Sequence, residues 1–545
     1  MLSAWTDNKD EGVKYFSGTA TYTKTININP GWIKPGSVIL LDMGKVYDIA
    51  GVWLNGKKVG LVYDAPYKID ISKSLKPGNN KLEIKVTNEW TNRLIGDNLH
   101  PDKKVLDAYI RPFGGQYTLQ VSGLLGPVKL LSEEDSTQKP PATEVAGIHV
   151  NYKEDSVGTY TLPDPLIKLN GQKVKDAADW TKNRRPEILK MFETQQYGKV
   201  PGRPADMTFN VFDKGTPAFG GKAIRKQVTI YFTKDTASIH KLDLLIYLPA
   251  HAAKPSPLLL NISFSANNNA VDDPGVKQGM AWSKDGQRIP ATAGRFPKMN
   301  VEPFIDAGLA FATFCYTDIE PDQLNGINLG IRSLYLKPGQ TAFAPDEWGA
   351  ISAFSWGLSR VMDYLETDKD INAKKVALTG ASRLGKTVLW TGARDTRFAM
   401  IIASVSGEGG AALSRRNYGE TIAHLEAPTR YPYQFAGNYA RYGADPNKLP
   451  MDGHMLIALM APRPVLLQTG STDGWSDPKG EWLAALAAKP VFELFKESGP
   501  DTGEWPQAED SSQLLHNLGY FMHDGPHGVL PTDWPRFIGF MKKYL

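Results

Sequence analysis

One serine in this chain stands where a nucleophile can be made. Ser382 lies in Thr379-Gly380-Ala381-Ser382-Arg383-Leu384-Gly385-Lys386. The stretch follows the apolar run Val376-Ala377-Leu378 and precedes a helical pattern carrying Leu389, Trp390 and Ala393. Strand, Gly-x-Ser and helix form the layout of a nucleophile elbow. The sharp turn lifts a hydroxyl above the sheet, and small neighbours let the turn close. The next backbone N–H, at the helix N-terminus, then faces a developing oxyanion. Gly385 comes one residue later than Gly-x-Ser-x-Gly requires, and an ordinary Gly/Ser turn shares the pattern. The chemistry therefore depends on partners elsewhere.

A serine needs a base, and the base needs an acid to orient it. Five histidines follow Ser382: His424, His454, His516, His523 and His527. His527 sits in the turn-rich Asp524-Gly525-Pro526-His527-Gly528, just ahead of a helix expected over 532–544. α/β-hydrolases take their triad in the chain order serine, acid, histidine, and that loop is where the fold delivers its base. His523, four residues earlier, is the rival. Two acids compete. Asp473, in Gln468-Thr469-Gly470-Ser471-Thr472-Asp473-Gly474-Trp475, follows the apolar run 465–467. Glu408, in Ser406-Gly407-Glu408-Gly409-Gly410, follows the run 400–405. Both fall beyond the C-terminal ends of expected strands, where such sheets build sites. Asp477 and Glu481, further on, read as solvated or helix-capping groups.

The elements that must position these residues are legible at coarse grain. Apolar runs at 242–248, 258–262, 309–314, 376–378, 400–405 and 465–467 alternate with helical patterns. The clearest helix carries Ile351, Phe354, Leu358, Val361, Met362 and Leu365 at helical spacing. This alternation predicts a mostly parallel sheet with helices on both faces, an α/β-hydrolase-like domain over 148–545. The weakly periodic stretch 266–300 reads as an insertion at one rim of the sheet. Residues 1–131 read instead as all-β: 19–28 and 81–86 alternate polar and apolar, and Asn55-Gly56 lies between apolar residues as a hairpin signal. A jelly-roll or β-sandwich domain is predicted there. Between them, 132–147 opens with the polar, Pro-ended Ser132-Glu133-Glu134-Asp135-Ser136-Thr137-Gln138-Lys139-Pro140-Pro141, the composition of a linker.

Bulk properties narrow the field. A chain of 545 residues exceeds one core. A net charge of +4 with no basic run argues against nucleic acid as a partner, and no apolar stretch approaches a membrane span. The N-terminus Met1-Leu2-Ser3-Ala4-Trp5 shows no signal-peptide pattern. The single cysteine, Cys315, ends an apolar run and is expected to be a buried inert thiol. Neither a metal nor a cofactor is called for.

Two resemblances follow from these motifs. Val52-Trp53-Leu54-Asn55-Gly56, Lys76-Pro77-Gly78-Asn79-Asn80-Lys81-Leu82 and the segment from Thr87 to Asp97 resemble the galactose-binding-like accessory domain of rhamnosidase-type glycoside hydrolases. No carboxylate pair there reads as catalytic; a structural or weak sugar-binding role is expected. From about 160 onward the chain resembles the glucuronoyl esterases of carbohydrate esterase family 15. The likeness rests on the elbow, Ser406-Gly407-Glu408-Gly409-Gly410-Ala411-Ala412, Trp475-Ser476-Asp477-Pro478-Lys479-Gly480-Glu481 and Gly525-Pro526-His527, in that order.

That resemblance implies Ser382 as nucleophile, His527 as base, Arg383 as an oxyanion arginine, and Lys386, Glu420 and Trp475 as contacts to the uronate. One position departs from the family pattern. Many members place the acid directly before the Ser-Gly, and here that residue is Val405. Others use an aspartate two residues before the tryptophan, which here is Asp473; Glu408 remains the alternative acid. The implied substrate is a glucuronoxylan or lignin–carbohydrate ester, met outside the cytoplasm by a monomer. Acetyl or feruloyl xylan esterase activity, or non-catalytic carbohydrate binding, are the competing readings.

Overall fold

A computed structural model describes residues 2–29, 38–63, 67–106, 118–133, 143–252, 255–292, 294 and 296–545. The chain divides into two compact units, Met1–Pro141 and Ala142–Leu545. Most of the expected linker, residues 134–142, lies outside the described residues. Its last part pairs as Glu144–Val145 with Ile148–His149.

The first unit is built of antiparallel sheets around one core. Four strands lie in the order Thr19–Ile28, Gly78–Thr87, Ile49–Leu54, Lys57–Val62. The Asn-Gly signal holds: Asn55 and Gly56 take φ of 53° and 82°, the left-handed pair that a tight hairpin needs, and Leu54 pairs with Lys57. A second sheet orders Lys68–Asp70, Val38–Asp42 and Lys129–Glu133. Leu41, Val52, Leu82, Ile84 and Val86 fill the space between. The unit is not purely β, because Thr91–Leu99 is a nine-residue helix buried through Asn92, Ile95 and Asp97.

The second unit is organised by one nine-stranded sheet. Its strands are β1 (Thr208–Ala218), β2 (Ala223–Tyr231), β3 (Lys241–Pro249), β4 (Ser256–Ser263), β5 (Ala310–Cys315), β6 (Ile371–Ala381), β7 (Met400–Ser404), β8 (Val465–Gly470) and β9 (Leu518–His523). The order is β1-β2-β3-β5-β4-β6-β7-β8-β9. From β5 to β9 every pairing is parallel, whereas β1, β2, β3 and β5 pair antiparallel. Each apolar run expected as a strand is one. The two strands β1 and β2 carry no such run, because β2 buries Arg225, Lys226 and Gln227. These are satisfied by Asp213, Asp273 and Asp368.

Strand residues alternate between two cores. Leu258, Leu260, Val376, Leu378, Ile401 and Leu467 face α1 (Ala350–Leu365), α2 (Arg383–Arg394) and α3 (Pro478–Glu493). Leu259, Ala377, Ile402 and Leu466 face Glu302–Asp306 and α4 (Trp534–Tyr544). Each buried aliphatic side chain contributes about 1.5–3 kcal/mol of transfer free energy, so a one-residue slip of any central strand would misplace both cores. The stretch 266–300 leaves the C-terminal end of β4 and includes the hairpin Met280–Trp282 with Arg288–Pro290. Cys315 ends β5, buried, with its thiol pushed up to about 12 by that burial. No helix among the described residues is long and apolar enough to cross a membrane.

Two glycines in helices give opposite expectations. A Cβ at Gly385 in α2 would lie 2.6 Å from the Ser404 carbonyl oxygen, whereas one at Gly539 in α4 would meet nothing. Gly385→Ala should therefore cost about 1–3 kcal/mol by overpacking, and exposed Gly539→Ala should gain about 0.5–1 kcal/mol from helix propensity. Urea unfolding of both variants checks the pair; equal midpoints would show that α2 can shift away from β7.

Candidate active site

Ser382 is built as a strained turn. It follows the last residue of β6 and caps α2 with φ 59° and ψ −128°, outside the regions that side-chain-bearing residues ordinarily occupy. Its backbone N–H donates to Ser404 on β7, 2.9 Å away, and its carbonyl accepts from Lys386 N–H at 3.1 Å. The hydroxyl caps no backbone group of α2. Small residues make the turn possible. A Cβ at Gly380 would fall 2.7 Å from the Leu384 carbonyl and 2.9 Å from Ile262. Gly385, shifted one place from the usual elbow, is needed for the close approach of α2 to β7.

His527 and Asp473 meet. His527 Nδ1 lies 2.6 Å from Asp473 Oδ2, and the Ser476 hydroxyl is 3.1 Å from the same nitrogen. A ring nitrogen facing a carboxylate carries the proton, so Nε2 is the basic nitrogen. Asp473 is almost fully buried, whereas the His527 side chain is 42% exposed. Their loops follow β8 and β9, which pair in register up to Gly470 and His523. Beyond that point the loops stay tied: Ser471 N–H to the His523 carbonyl at 3.0 Å, Thr472 N–H to the Gly525 carbonyl at 3.0 Å. Ser382, Asp473 and His527 thus all leave the C-terminal edge of the parallel strands.

The competing residues are engaged elsewhere. His523, fully buried, places Nδ1 2.8 Å from Asp533 and Nε2 2.9 Å from the Pro526 carbonyl. Burial pulls its pKa down, but Asp533 and the carbonyl outweigh this and raise it. Glu408 accepts from the Ser414 and Tyr439 hydroxyls at 2.7 and 2.8 Å, and burial pushes it up to about 8. Asp477 caps α3 through Gly480 N–H, as expected, but it is buried and paired with Arg416. Glu481 is not solvated: it is fully buried, accepts from Ser406 and Gly407, and rises to about 8 by desolvation. His454 bonds the Pro163 carbonyl, and His424 bonds Thr421.

The cationic residues each have an anionic partner. Arg383 Nη1 donates to Asp322, and its guanidinium lies 4.6 Å over the Tyr431 ring. Burial would lower its pKa, but the Asp322 charge raises it. Lys386 is buried 3.8 Å from Glu420, and burial lowers its pKa against the pull of that carboxylate. Arg430 donates to Glu420 at 2.7 Å and lies 5.1 Å over Trp475. Glu420 N–H bonds the Trp475 carbonyl at 2.8 Å. Lys386, Glu420 and Trp475 are therefore one connected group. Asp322, Tyr431 and Arg430 were not foreseen, and no local motif marks them. Among the described residues, no three His, Cys, Asp or Glu side chains gather as a metal site needs.

The buried His523–Asp533 pair should be visible in a pH titration of stability. A raised pKa in the folded state means that His523 stabilises fully below its unfolded value, about 6.5, and that this stability is lost as pH rises through the folded value. Unfolding midpoints between about pH 6 and 9 should thus decline for the wild type. His523→Asn, less stable throughout, should show a flatter decline; parallel slopes would mean that the pair does not titrate there.

Comparison with known proteins shows which family the chain resembles. Residues 299–496 match the family profile described as glucuronyl esterase, fungi, and residues 3–112 match the glycosyl hydrolase 2 galactose-binding domain-like profile. Carbohydrate esterase MZ0003, from an unknown prokaryotic organism, is 42% identical over 405 residues, covering 72% of this chain and 92% of that protein. The solved glucuronoyl esterase from Solibacter usitatus has a TM-score of 0.67 at 45% identity, covering 72% of this chain and 100% of the other. A putative beta-glucuronidase of Formosa agariphila is 49% identical over 100 residues, which are 18% of this chain but only 9% of that protein. The chain belongs to the glucuronoyl esterases, carbohydrate esterase family 15, whose members are carboxylic ester hydrolases.

Proposed function

We propose that this chain hydrolyses esters of glucuronic acid, 4-O-methylated or not, such as those joining xylan side groups to lignin alcohols. Ser382, His527 and Asp473 act as the triad. The observation that carries the reading is the 2.6 Å pair of His527 Nδ1 with Asp473, which leaves Nε2 free on the rim that bears the Ser382 turn. Ser382 Oγ attacks the ester carbonyl carbon while Nε2 takes the hydroxyl proton. The carbon–oxygen bond to the alcohol then breaks, and the alcohol leaves with that proton. Water adds to the glucuronoyl-serine ester, gives its proton to Nε2, and the serine departs with it as the acid is released. Arg383 places a fixed positive charge at the oxyanion, beside its own backbone N–H. Lys386 and Glu420 hold ring hydroxyls, and Trp475 offers a face to the sugar. A polymeric plant-wall ester lies outside the cell, so the enzyme acts there.

The first test is hydrolysis of benzyl glucuronate beside p-nitrophenyl acetate. The wild type should cleave the glucuronate ester strongly and the acetate little, and Ser382→Ala should abolish the difference. Acetate cleavage alone would assign a general carbohydrate esterase, and no serine-dependent turnover of either would leave sugar binding as the function. The acid is tested separately. Asp473→Asn should lower kcat by about 10⁴-fold, as loss of the orienting carboxylate does in serine hydrolases. Glu408→Gln should leave kcat within about tenfold, since the geometry gives it no contact with His527. The reverse order would move the acid to Glu408.

A further inference from the structure

We infer that Asp322 is the positioning residue for Arg383, holding the guanidinium where the oxyanion forms; this rests on the role proposed for Arg383 above. Asp322 is a buried carboxylate that receives four donors. Oδ2 accepts from Arg383 Nη1 and from the Tyr316 hydroxyl at 3.0 Å. Oδ1 accepts from the Tyr433 hydroxyl at 2.8 Å and from Gln434 Nε2 at 2.8 Å. A carboxylate has about four acceptor sites, and all are filled. It has no acceptor site left for a further donor, and no freedom to turn towards another partner.

The carboxylate is itself fixed from behind. Two residues earlier, Glu320 is fully buried against Arg332, which donates through Nε at 2.9 Å and Nη2 at 2.6 Å. The remaining Arg332 nitrogen, Nη1, reaches the Trp348 carbonyl at 2.9 Å. Gly326 and Gly330 bring the backbone close: a Cβ at Gly326 would fall 2.3 Å from the Pro321 carbonyl oxygen, and one at Gly330 2.5 Å from Glu320 Cβ. The peptide bearing Asp322 is therefore pinned on both sides. Its donors Tyr433 and Gln434 belong to the same short segment as Tyr431, the ring under the Arg383 guanidinium. Asp322 thus fixes the arginine directly and steadies the surface on which it stacks. A long arginine side chain without such a partner samples several rotamers, and a donor displaced from the oxyanion loses most of its effect.

A double-mutant cycle separates positioning from general support of the fold. Asp322→Asn, Arg383→Gln and the double variant are made in the full chain, checked for folding, and assayed on benzyl glucuronate for kcat and KM. Arg383→Gln should lower kcat by about 10²–10³-fold. Asp322→Asn should lower it by about 10–100-fold, with KM changed by less than about threefold, and should add no further loss when Arg383 is already gone. An equal loss from Asp322→Asn in both backgrounds would overturn the inference, since Asp322 would then act independently of the arginine. So would an unchanged kcat in Asp322→Asn. If Arg383→Gln itself leaves kcat intact, this inference falls with the arginine's role, while the Ser382→Ala result still decides the esterase reading. Should Asp322→Asn fail to fold, Tyr433→Phe enters the same cycle. It removes one donor from the carboxylate, and its smaller kcat loss should appear only with Arg383 present.

Discussion

The strained backbone at Ser382 is the constraint on which the rest of this rim of the sheet depends. A residue with a side chain at φ 59° and ψ −128° costs on the order of 1–3 kcal/mol and persists only where its surroundings over-determine it. Here they do. Ser382 N–H is tied to Ser404 on β7, and the next residue continues the chain of ties: Val405, also at positive φ (42°), donates its N–H to the Gln468 carbonyl on β8 at 2.7 Å. Positive φ is unusual for a β-branched residue. The Gln468 side chain lies 3.0 Å from His523 Nδ1 on β9, and His523 holds the Pro526 carbonyl, one residue before His527. A continuous run of hydrogen bonds thus links the Ser382 turn to the His527 loop across three strand boundaries.

Within that frame, burial sorts one histidine from the other. His523 and His527 each face an aspartate, yet His523 is sealed, with both nitrogens spent on Asp533 and a carbonyl. It serves the loop. His527 spends one nitrogen and keeps the other at a half-open surface. The acids divide by the same logic. Desolvation lifts Glu408 and Glu481 to about 8, since burial favours the neutral form over the carboxylate. Their hydrogen bonds instead brace the Ser406–Gly407 turn, Ser414 and Tyr439. Asp473 is the acid whose carboxylate faces the exposed histidine.

How much of this was legible depends on the distance between partners. The elbow, His527 and Asp473 each carry a local signature: a Gly-flanked serine after an apolar run, a turn before the last helix, an acid after a strand. The strands from β3 to β8 announce themselves as apolar runs because both of their faces are buried. β1 and β2 did not, since their central pairing hides Arg225 and Lys226 against carboxylates, and charge reads as surface. Glu481 was misjudged for the same reason. The helix Thr91–Leu99 was hidden inside a stretch dominated by turn residues. Asp322 had no signal at all. It lies far upstream of Arg383, in a stretch without periodicity, and only the fold reveals that Arg383, Tyr433 and Gln434 converge on it.

On the function proposed for this chain, convergence of this kind keeps a site rich in cations ready before substrate arrives. An ester is uncharged, so it has no charge of its own with which to pull Arg383 or Lys386 into place. Each must be held by the protein: Arg383 by Asp322 and Tyr431, Lys386 by Glu420, and Glu420 in turn by Arg430. Reorganising such groups during the reaction would consume much of the stabilisation they offer, whereas dipoles and charges fixed in advance act at full strength on the charge that appears in the transition state. The pairing weakens each cation's field but fixes its direction. In the mechanism proposed for Ser382, charge develops on one oxygen, so direction is the more valuable property.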